Sequence, residues 1–239
     1  MIMIRWPESA ISLARRYCAK MESELDKIAV LASGGLDSSV LVAELASAAQ
    51  VYPIYVKCGL KWEAEELRAQ QAFLDALKSP HVMPLTVLEL PTAALYGDHW
   101  SLFGARVPDA DAPDSEVLIP GRNILLLGVA AVWCSTHGVL RIAIGSLDGN
   151  PFPDATREFF ESFSRALSLG LGRAIQIEAP FRGIHKEELI RRSRELPLDL
   201  TLTCMAPDSG VHCGQCNKCR ERQLAFQKAD IPDRTVYAA

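Results

Sequence analysis

The feature that most constrains this chain is a glycine- and serine-rich segment from Ser33 to Ser39, with the sequence SGGLDSS. It follows the apolar run from Ile28 to Leu31 and precedes a second apolar segment, from Val40 to Ala49. This order predicts a strand, a loop and a helix from Ser38 to Ala49. The loop of such a unit collects unpaired backbone N–H groups and the positive end of a helix dipole at one point. That point suits a phosphate or pyrophosphate group.

Each residue type in the segment has a physical use beside a phosphate. Gly34 and Gly35 can adopt positive φ and let the backbone approach an anion, and the serines add small hydroxyl donors. Asp37 would repel a phosphate unless something holds it, so we interpret it as the outer partner of Mg²⁺ or as a helix cap. The candidate nucleotide-binding residues are Ser33, Gly34, Gly35, Leu36, Asp37, Ser38 and Ser39.

Composition limits the classes of protein to consider. With 239 residues, 49% of them hydrophobic, the chain can bury one full core. A net charge of -4 argues against a general nucleic-acid binder. No run approaches the ~18 consecutive apolar residues of a membrane span, and the N-terminus lacks the apolar core of a signal peptide. We therefore expect a cytoplasmic protein that does not bind a membrane.

Apolar patterns after the segment alternate between the periods of strands and helices. Together with the first unit they predict five strands separated by helices, and hence a doubly wound parallel α/β sheet. The further predicted strands are 51–56, 81–90 (bent at Pro84), 140–145 and 174–178, and the further predicted helices are 11–25, 63–78, 121–137, 158–169 and 186–195. We divide the chain into a helical extension (1–26), a nucleotide-binding domain (27–200) and a cysteine-bearing tail (201–239) that ends in a helix.

The pattern stops between Pro91 and Pro120, where prolines, glycines and aspartates are frequent. Irregular connections longer than about 12–15 residues are usually functional or disordered. Aromatic residues such as Tyr96 and Trp100 favour a substrate lid, and a solvated loop is the alternative.

Polar residues follow the later strands, at the sheet edge where ligands of open α/β sheets bind. Arg122 and Asn123 open a helix and offer donors to a phosphate or carboxylate, although a helix cap with a surface arginine would explain them too. Asp154 is either an acceptor-binding residue or the N-cap of the following helix. Lys186 begins a helix, which is unfavourable with respect to the dipole, so we expect it to have an anionic partner. The candidate catalytic residues are Asp37, Arg122 and Lys186, and the candidate substrate residues are Asn123, Asp148, Asp154 and Arg182.

Four of the seven cysteines lie close together near the C-terminus: Cys204, Cys213, Cys216 and Cys219. Two short spacings and the turn at Gly214 suit tetrahedral Zn²⁺. A closed four-cysteine site leaves no position for substrate, so we assign it a structural role. An iron–sulfur cluster uses the same ligands, but the lack of a cysteine near the phosphate loop favours zinc.

Taken together, these motifs identify a family. The Ser33–Ser39 loop, the Pro120–Asn123 tetrad, the Pro153-Asp154 loop, Lys186 and the four cysteines occur in the order seen in the 7-cyano-7-deazaguanine synthase family of PP-loop ATP pyrophosphatases. The resemblance covers residues 27–237 and implies an adenine nucleotide α-hydrolase-like fold. At residues 149–156 the chain has Gly-Asn-Pro-Phe-Pro-Asp-Ala-Thr where the family typically has Tyr-Ser-Gly-Tyr-Pro-Asp-Cys-Arg.

The resemblance also implies an activity. Such enzymes adenylate 7-carboxy-7-deazaguanine with ATP, add ammonia to form an amide, and dehydrate the amide to the nitrile (preQ0) with further ATP. The implied cofactors are ATP, Mg²⁺ and one Zn²⁺, and the implied assembly is a homodimer. By resemblance the Ser33–Ser38 loop would hold pyrophosphate and Mg²⁺, Arg122 and Asn123 the adenylate and acceptor, and Lys186 a phosphate oxygen.

Three alternatives remain at this point. The chain could activate a different carboxylate, it could thiolate a tRNA base, or it could bind nucleotide without catalysis. Thiolation would require a reactive cysteine near the phosphate loop and usually a basic surface, which the net charge does not favour. Turnover to AMP and pyrophosphate that depends on the acceptor would distinguish an enzyme from a binding module.

Overall fold

A computed structural model describes residues 25–238 as one five-stranded parallel sheet in the order β3-β2-β1-β4-β5. The predicted N-terminal helix falls almost wholly outside these residues. The strands are β1 Asp26–Leu31, β2 Ala49–Lys57, β3 Thr86–Glu89, β4 Arg141–Ala143 and β5 Gln176–Glu178. The helices are α1 Leu36–Leu45, α2 Glu63–Leu77, α3 Ala93–Tyr96, α4 Trp100–Phe103, α5 Arg122–His137, α6 Arg157–Leu171, α7 Lys186–Arg192 and α8 Asn217–Ala229. The predicted fold class is confirmed.

Helices cover both faces of the sheet, as its parallel strands require. One face buries Leu127, Ala130 and Cys134 of α5 together with Phe160 of α6. The other face buries the apolar residues of α1, α7 and α8. The two layers place every loop that follows a strand at one edge of the sheet.

Two prolines explain why the predicted third strand is interrupted. Pro53 lies inside β2, where its missing N–H would ordinarily break the ladder to a neighbouring strand. The N–H of Val51, two residues earlier, bonds to His81 on the β3 side, so the missing donor of Pro53 faces the same side. There the chain has left the ladder at Pro84, and pairing resumes at Thr86 opposite Ile54. The two prolines therefore cost the sheet few hydrogen bonds.

The first helix ends earlier than predicted. It stops at Leu45, and Ala49 belongs to β2, opposite Asp26 of β1. Apolar residues in a buried helix and a buried strand are alike, so the apolar pattern does not mark this boundary. The boundary predicted between residues 26 and 27 falls inside β1.

The long segment between Pro91 and Pro120 is not wholly irregular. It contains α3, α4 and a 3₁₀ helix at Asp114–Val117. Val117 and Ile119 are buried in the core, and the Tyr96 hydroxyl donates to the carbonyl of Pro120 at 2.8 Å. The segment is thus packed on the domain; its action as a lid stays a prediction.

One described stretch, Asp114–His137, is long and apolar enough to cross a membrane by length and composition alone. It includes α5, whose Leu127, Ala130 and Ala131 are fully buried against the sheet. A helix in the core of a domain can have the same length and apolar composition.

Candidate active site

The phosphate loop lies between β1 and β4, the point at which the strand order reverses. On one side of β1 the sheet continues with β2 and then β3, and on the other side it continues with β4 and then β5. Gly145, just after β4, lies so close to the first turn of α1 that a Cβ there would be 3.1 Å from the Asp37 carbonyl carbon. No pattern in the sequence singled out Gly145 for this role. Its small size lets the loop after β4 form a wall beside the phosphate loop.

Gly34 supports the loop from below and is not open to a ligand. Its φ is +75°, and its N–H donates to Oε1 of the fully buried Gln70 on α2 at 2.9 Å. A Cβ on Gly34 would lie 2.4 Å from the carbonyl oxygen of Glu66. The loop conformation is further fixed by the Ser33 N–H, which donates to the Ser38 hydroxyl at 3.1 Å. Gly34 is therefore needed for packing, and its N–H is already used.

The other candidate loop residues differ in their access to solvent. Ser33, Gly35 and Asp37 line both cavities described below, while Leu36 and Ser38 line one of them. Ser39 is fully buried and lines neither of the two cavities beside the loop. Its predicted role as a donor to the nucleotide stays untested.

Asp37 is not the cap of α1. Gly35 occupies the N-cap position, and Asp37 lies in the first turn with its carboxylate directed at another element. Its Oδ2 is 3.3 Å from Nζ of Lys186, and its buried Oδ1 has no hydrogen-bond partner among the described residues. An unpartnered buried carboxylate oxygen is a suitable ligand for Mg²⁺.

Lys186 has the anionic partner predicted for it, and a second one. Its ammonium group contacts Asp37 and also Oε1 of Glu221 on α8, and the other oxygen of Glu221 accepts from Lys218 at 2.7 Å.

Burial opposes the charge of Lys186, yet the two carboxylates raise its pKa above the usual value. Burial also opposes the charge of Glu221, but the two lysines lower its pKa to about 2. Burial raises the pKa of Asp37, and Lys186 partly offsets this. The cluster holds two positive and two negative groups beside the loop.

Arg122 and Asn123 begin α5, directly after Gly121 at a φ of +69°. The backbone N–H of Asn123 donates to Oδ2 of Asp154 at 2.9 Å, and the Asn123 side chain donates to the Asp154 carbonyl at 3.0 Å. The alternative that Asp154 caps the following helix is wrong, because Thr156 accepts from Phe159 N there. Asp154 instead satisfies the first turn of α5, the helix that carries Arg122.

Two cavities meet at the phosphate loop. The smaller has a volume of about 210 Å³ and is lined by Tyr55, Ile144 and Ser146, among others. The larger, of about 420 Å³, is bounded by Trp62, Trp100, Phe152 and Asp148. The residues common to both cavities are Ser33, Gly35, Asp37, Arg122, Gly145, Asn150 and Thr203. A ligand in one cavity can therefore reach a ligand in the other beside Arg122.

Of the four candidate substrate residues, two line one of these cavities and two do not. Asn123 lines the smaller cavity, and Asp148 lines the larger one with His185 3.6 Å away. Asp154 and Arg182 line neither cavity in the described part of the chain. Arg182 is exposed, and its guanidinium donates to the carbonyl of Ala155 at 3.4 Å; its predicted role in substrate binding stays untested.

A buried polar cluster around Glu66, near Arg122, was not predicted from the sequence. Glu66 accepts from the Tyr55 hydroxyl at 2.6 Å and from Trp62 Nε1 at 2.9 Å. Burial raises the pKa of Glu66, and the nearby Arg122 guanidinium partly offsets this. Glu66 is only 8% exposed. The signal available in the sequence was a charged residue on the apolar side of an amphipathic helix.

The four predicted cysteines come together in a candidate metal centre. Their sulfur atoms all lie within 4.8 Å of one another, and those of Cys213 and Cys219 are 3.9 Å apart. Tetrahedral Zn²⁺ with bonds of about 2.3 Å places its sulfurs about 3.8 Å apart, so this set fits zinc. Two N–H groups, of Ala206 and Cys213, donate to Cys204 Sγ, as donors around metal thiolates do. Gly214 has the φ of +74° expected of the predicted turn.

The tail that carries these cysteines is part of the site. The N–H of Leu202 donates to the carbonyl of Gly34 at 2.8 Å, and Thr203 lines both cavities. Asn217 binds the long segment through the Ala112 carbonyl at 2.8 Å. The fully buried Arg222 fixes the chain end by bonds to Thr201 and Thr235.

The strand order, the Ser-Gly-Gly loop after β1 and the cavities at the carboxyl ends of the strands define a PP-loop α/β protein. Residues 27–230 match the family model described as "Queuosine biosynthesis protein QueC". The chain belongs to this family and is an enzyme of it.

Curated relatives agree along nearly their whole length. The 7-cyano-7-deazaguanine synthase of Methanopyrus kandleri is 34% identical over 229 residues, covering 87% of this chain and 97% of the relative. Proteins of the same name from Methanobrevibacter smithii and Nitrosomonas europaea are each 30% identical, cover 88% and 89% of this chain, and are themselves covered to 97%. A solved structure titled as a predicted subunit of tRNA methyltransferase from Methanocaldococcus jannaschii covers 90% of this chain and 93% of its own, with a TM-score of 0.49 and 14% identity.

Proposed function

We propose that the chain adenylates 7-carboxy-7-deazaguanine with ATP and converts it with ammonia into the amide and then the nitrile. The observation that carries this proposal is that the two cavities share one wall at the phosphate loop and Arg122. Adenylation needs the α-phosphorus of ATP and an acceptor carboxylate in contact. Ligands bound in the two cavities could come into such contact at the shared wall.

In the first half-reaction a carboxylate oxygen of the acceptor attacks the α-phosphorus, and pyrophosphate leaves. Ser33 and Gly35, both at the shared wall, would donate to the pyrophosphate, and Lys186 would offset its charge. Arg122 would orient the acceptor carboxylate with its planar donors. Ammonia then attacks the acyl carbon, and AMP leaves.

In the second half-reaction the amide oxygen attacks the α-phosphorus of another ATP, and pyrophosphate leaves. The nitrogen then gives up its remaining protons, the C–O bond breaks, and AMP leaves to give the nitrile. The same wall would bind this ATP. Asp37 would hold Mg²⁺, which would supply charge for the phosphates. The donor set supports that assignment, because Asp37 keeps a buried oxygen that finds no partner within residues 25–238.

The larger cavity suits a flat heterocycle. Trp62 and Trp100 stack with their ring centroids 5.6 Å apart, and Phe152 bounds the same space. Such rings offer a stacking surface for a deazapurine base. Phe152 belongs to the loop that differs from the family pattern, so we assign this loop to acceptor binding.

The alternative of tRNA thiolation finds no support in the described residues. Burial raises the pKa of the Cys58 thiol to about 11 and that of Cys134 to about 12, so both remain thiols. Among residues 25–238, no cysteine lines either cavity.

The proposal includes a homodimer, formed through α5. Ile124 is 45% and Val132 54% exposed, and they lie eight residues apart on one side of this helix. Light scattering of Val132→Asp against the wild type tests this: we expect a dimer in the wild type and a monomer in the variant. A monomeric wild type would contradict it.

Mass spectrometry tests the activity itself. Wild-type protein with ATP, ammonium and 7-carboxy-7-deazaguanine should form the nitrile with two AMP and two pyrophosphate per product. Tight ATP binding without AMP formation would contradict the proposal.

A further inference from the structure

Two lysines, rather than one, face the phosphate loop across the larger cavity. Lys186 begins α7, and Lys218 lies in the first turn of α8, between Cys216 and Cys219. Both line the cavity with Ser33, Gly35 and Asp37. The metal-binding tail thus brings a cation to the wall at which the nucleotide phosphates would lie.

Glu221 presents the two lysines together. One of its oxygens accepts from Lys186 and the other from Lys218, so a single carboxylate holds both ammonium groups on the same side of the cavity. Without it the two like charges would repel each other. The side chains of Lys218 and Glu221 are 31% and 37% exposed, so both remain accessible from the cavity.

The balance of charge indicates what this wall binds. Asp37 and Glu221 neutralise Lys186 and Lys218 in the ligand-free protein. The acceptor has one carboxylate, for which Arg122 is available. The β- and γ-phosphates carry several negative charges beside the loop, more than Lys186 can offset alone, because it is already paired with two carboxylates. A flexible ammonium with three donors suits such a group.

We propose that Lys218 is a second phosphate-binding residue, which binds the leaving pyrophosphate of ATP, and that Glu221 is the positioning residue that holds Lys218 and Lys186 toward it. This inference rests on the proposed function, because it requires ATP to bind at the loop. It gives the cysteine-bearing tail a direct part in the nucleotide site.

Binding of inorganic pyrophosphate and of ATP, measured by calorimetry without acceptor, tests the inference. Lys218→Gln should weaken pyrophosphate binding by about tenfold, raise the KM for ATP and reduce inhibition by pyrophosphate. Lys218→Arg should restore most of the affinity. Glu221→Gln should weaken pyrophosphate binding and also lower kcat, because it releases both lysines. Lys228→Gln, an exposed position on the same helix, is the matched control and should match the wild type.

Zinc content and melting temperature, measured on every variant, separate binding from damage to the tail. If Lys218→Gln loses metal, Glu221→Gln decides, since it leaves the residues between the cysteines unchanged. Unaltered pyrophosphate affinity in both Lys218→Gln and Glu221→Gln would overturn the inference while the wild type binds both probes. A wild type that binds neither probe would contradict the proposed function and this inference with it.

Discussion

The ammonium nitrogen of Lys186 lies 3.3 Å from Oδ2 of Asp37, and this ion pair joins α7 to the first turn after the phosphate loop. Both residues are candidate catalytic groups, so in the ligand-free protein each neutralises the other. A nucleotide that binds here would have to replace this pairing with contacts to its own phosphates. Binding of a nucleotide would therefore break the ion pair between Lys186 and Asp37.

Replacing Asp37 should stop catalysis without unfolding the chain. We expect Asp37→Asn to reduce AMP formation by at least about a hundredfold, because the variant loses the carboxylate that would hold Mg²⁺ beside the reacting phosphates. Glu44→Gln, on the same helix but paired with Arg192, is the control and should keep normal activity. Near-normal AMP release by Asp37→Asn would remove Asp37 from the catalytic residues.

The hydrogen bonds of Asp154 should matter for activity as well as stability. Asp154→Ala leaves the first turn of α5 without its acceptor and should cost about 1 kcal/mol of unfolding free energy. Because Arg122 begins that helix, AMP formation should also fall. Thr156→Ala removes the cap of α6 at a similar cost in stability and should leave activity unchanged. Equal activities of the two variants at equal stability would contradict the positioning role.

Gly34→Ala should be more harmful than its backbone conformation alone predicts. Gly172 has a similar positive φ of +63°, but a Cβ there meets nothing within 4 Å in the described structure. Gly172→Ala should therefore cost only about 1 kcal/mol. Gly34→Ala adds the contact with Glu66 and should lower the melting temperature further and abolish ATP binding. Denaturant unfolding of both variants measures the difference, and equal losses would show that the contact is relieved.

The cysteine cluster should hold zinc that the fold requires. Cys216→Ser should lower zinc content and the yield of folded protein together. Cys134→Ala, a buried position outside the cluster, should retain full zinc content at some cost in stability. Elemental analysis and thermal unfolding test both. A folded, fully active Cys216→Ser protein without metal would contradict the structural role.

Local patterns in the sequence were enough to predict the sheet, the strand–turn–helix unit around Ser33–Ser39, the start of a helix near Arg122 and the closeness of the four cysteines. Each depends on neighbours in the chain: a strand before a glycine turn, a donor at a helix start, two short cysteine spacings. The unfavourable position of Lys186 even predicted an anionic partner.

The residues that contact these groups come from elements far away in the sequence. The sequence does not show which of those elements lie next to each other in the fold. Glu221 and Lys218 lie on a helix interpreted as part of the metal site, and Gln70 lies on an amphipathic helix with no motif. Asp154 shows the limit most clearly. Its position shortly before the predicted helix 158–169 suggested a cap for that helix, whereas folding places it at a helix that begins 32 residues earlier, at Arg122.

The central claim is that the acceptor carboxylate, and then its amide, attack the α-phosphorus of ATP. Transfer of oxygen tests it most directly: the acceptor acid is labelled with ¹⁸O in both carboxylate oxygens, and the AMP and pyrophosphate are examined by mass spectrometry. Adenylation of the acid and then of the amide predicts one ¹⁸O in every AMP released on the way to the nitrile, and none in pyrophosphate. Unlabelled AMP, or label in pyrophosphate, would contradict the account.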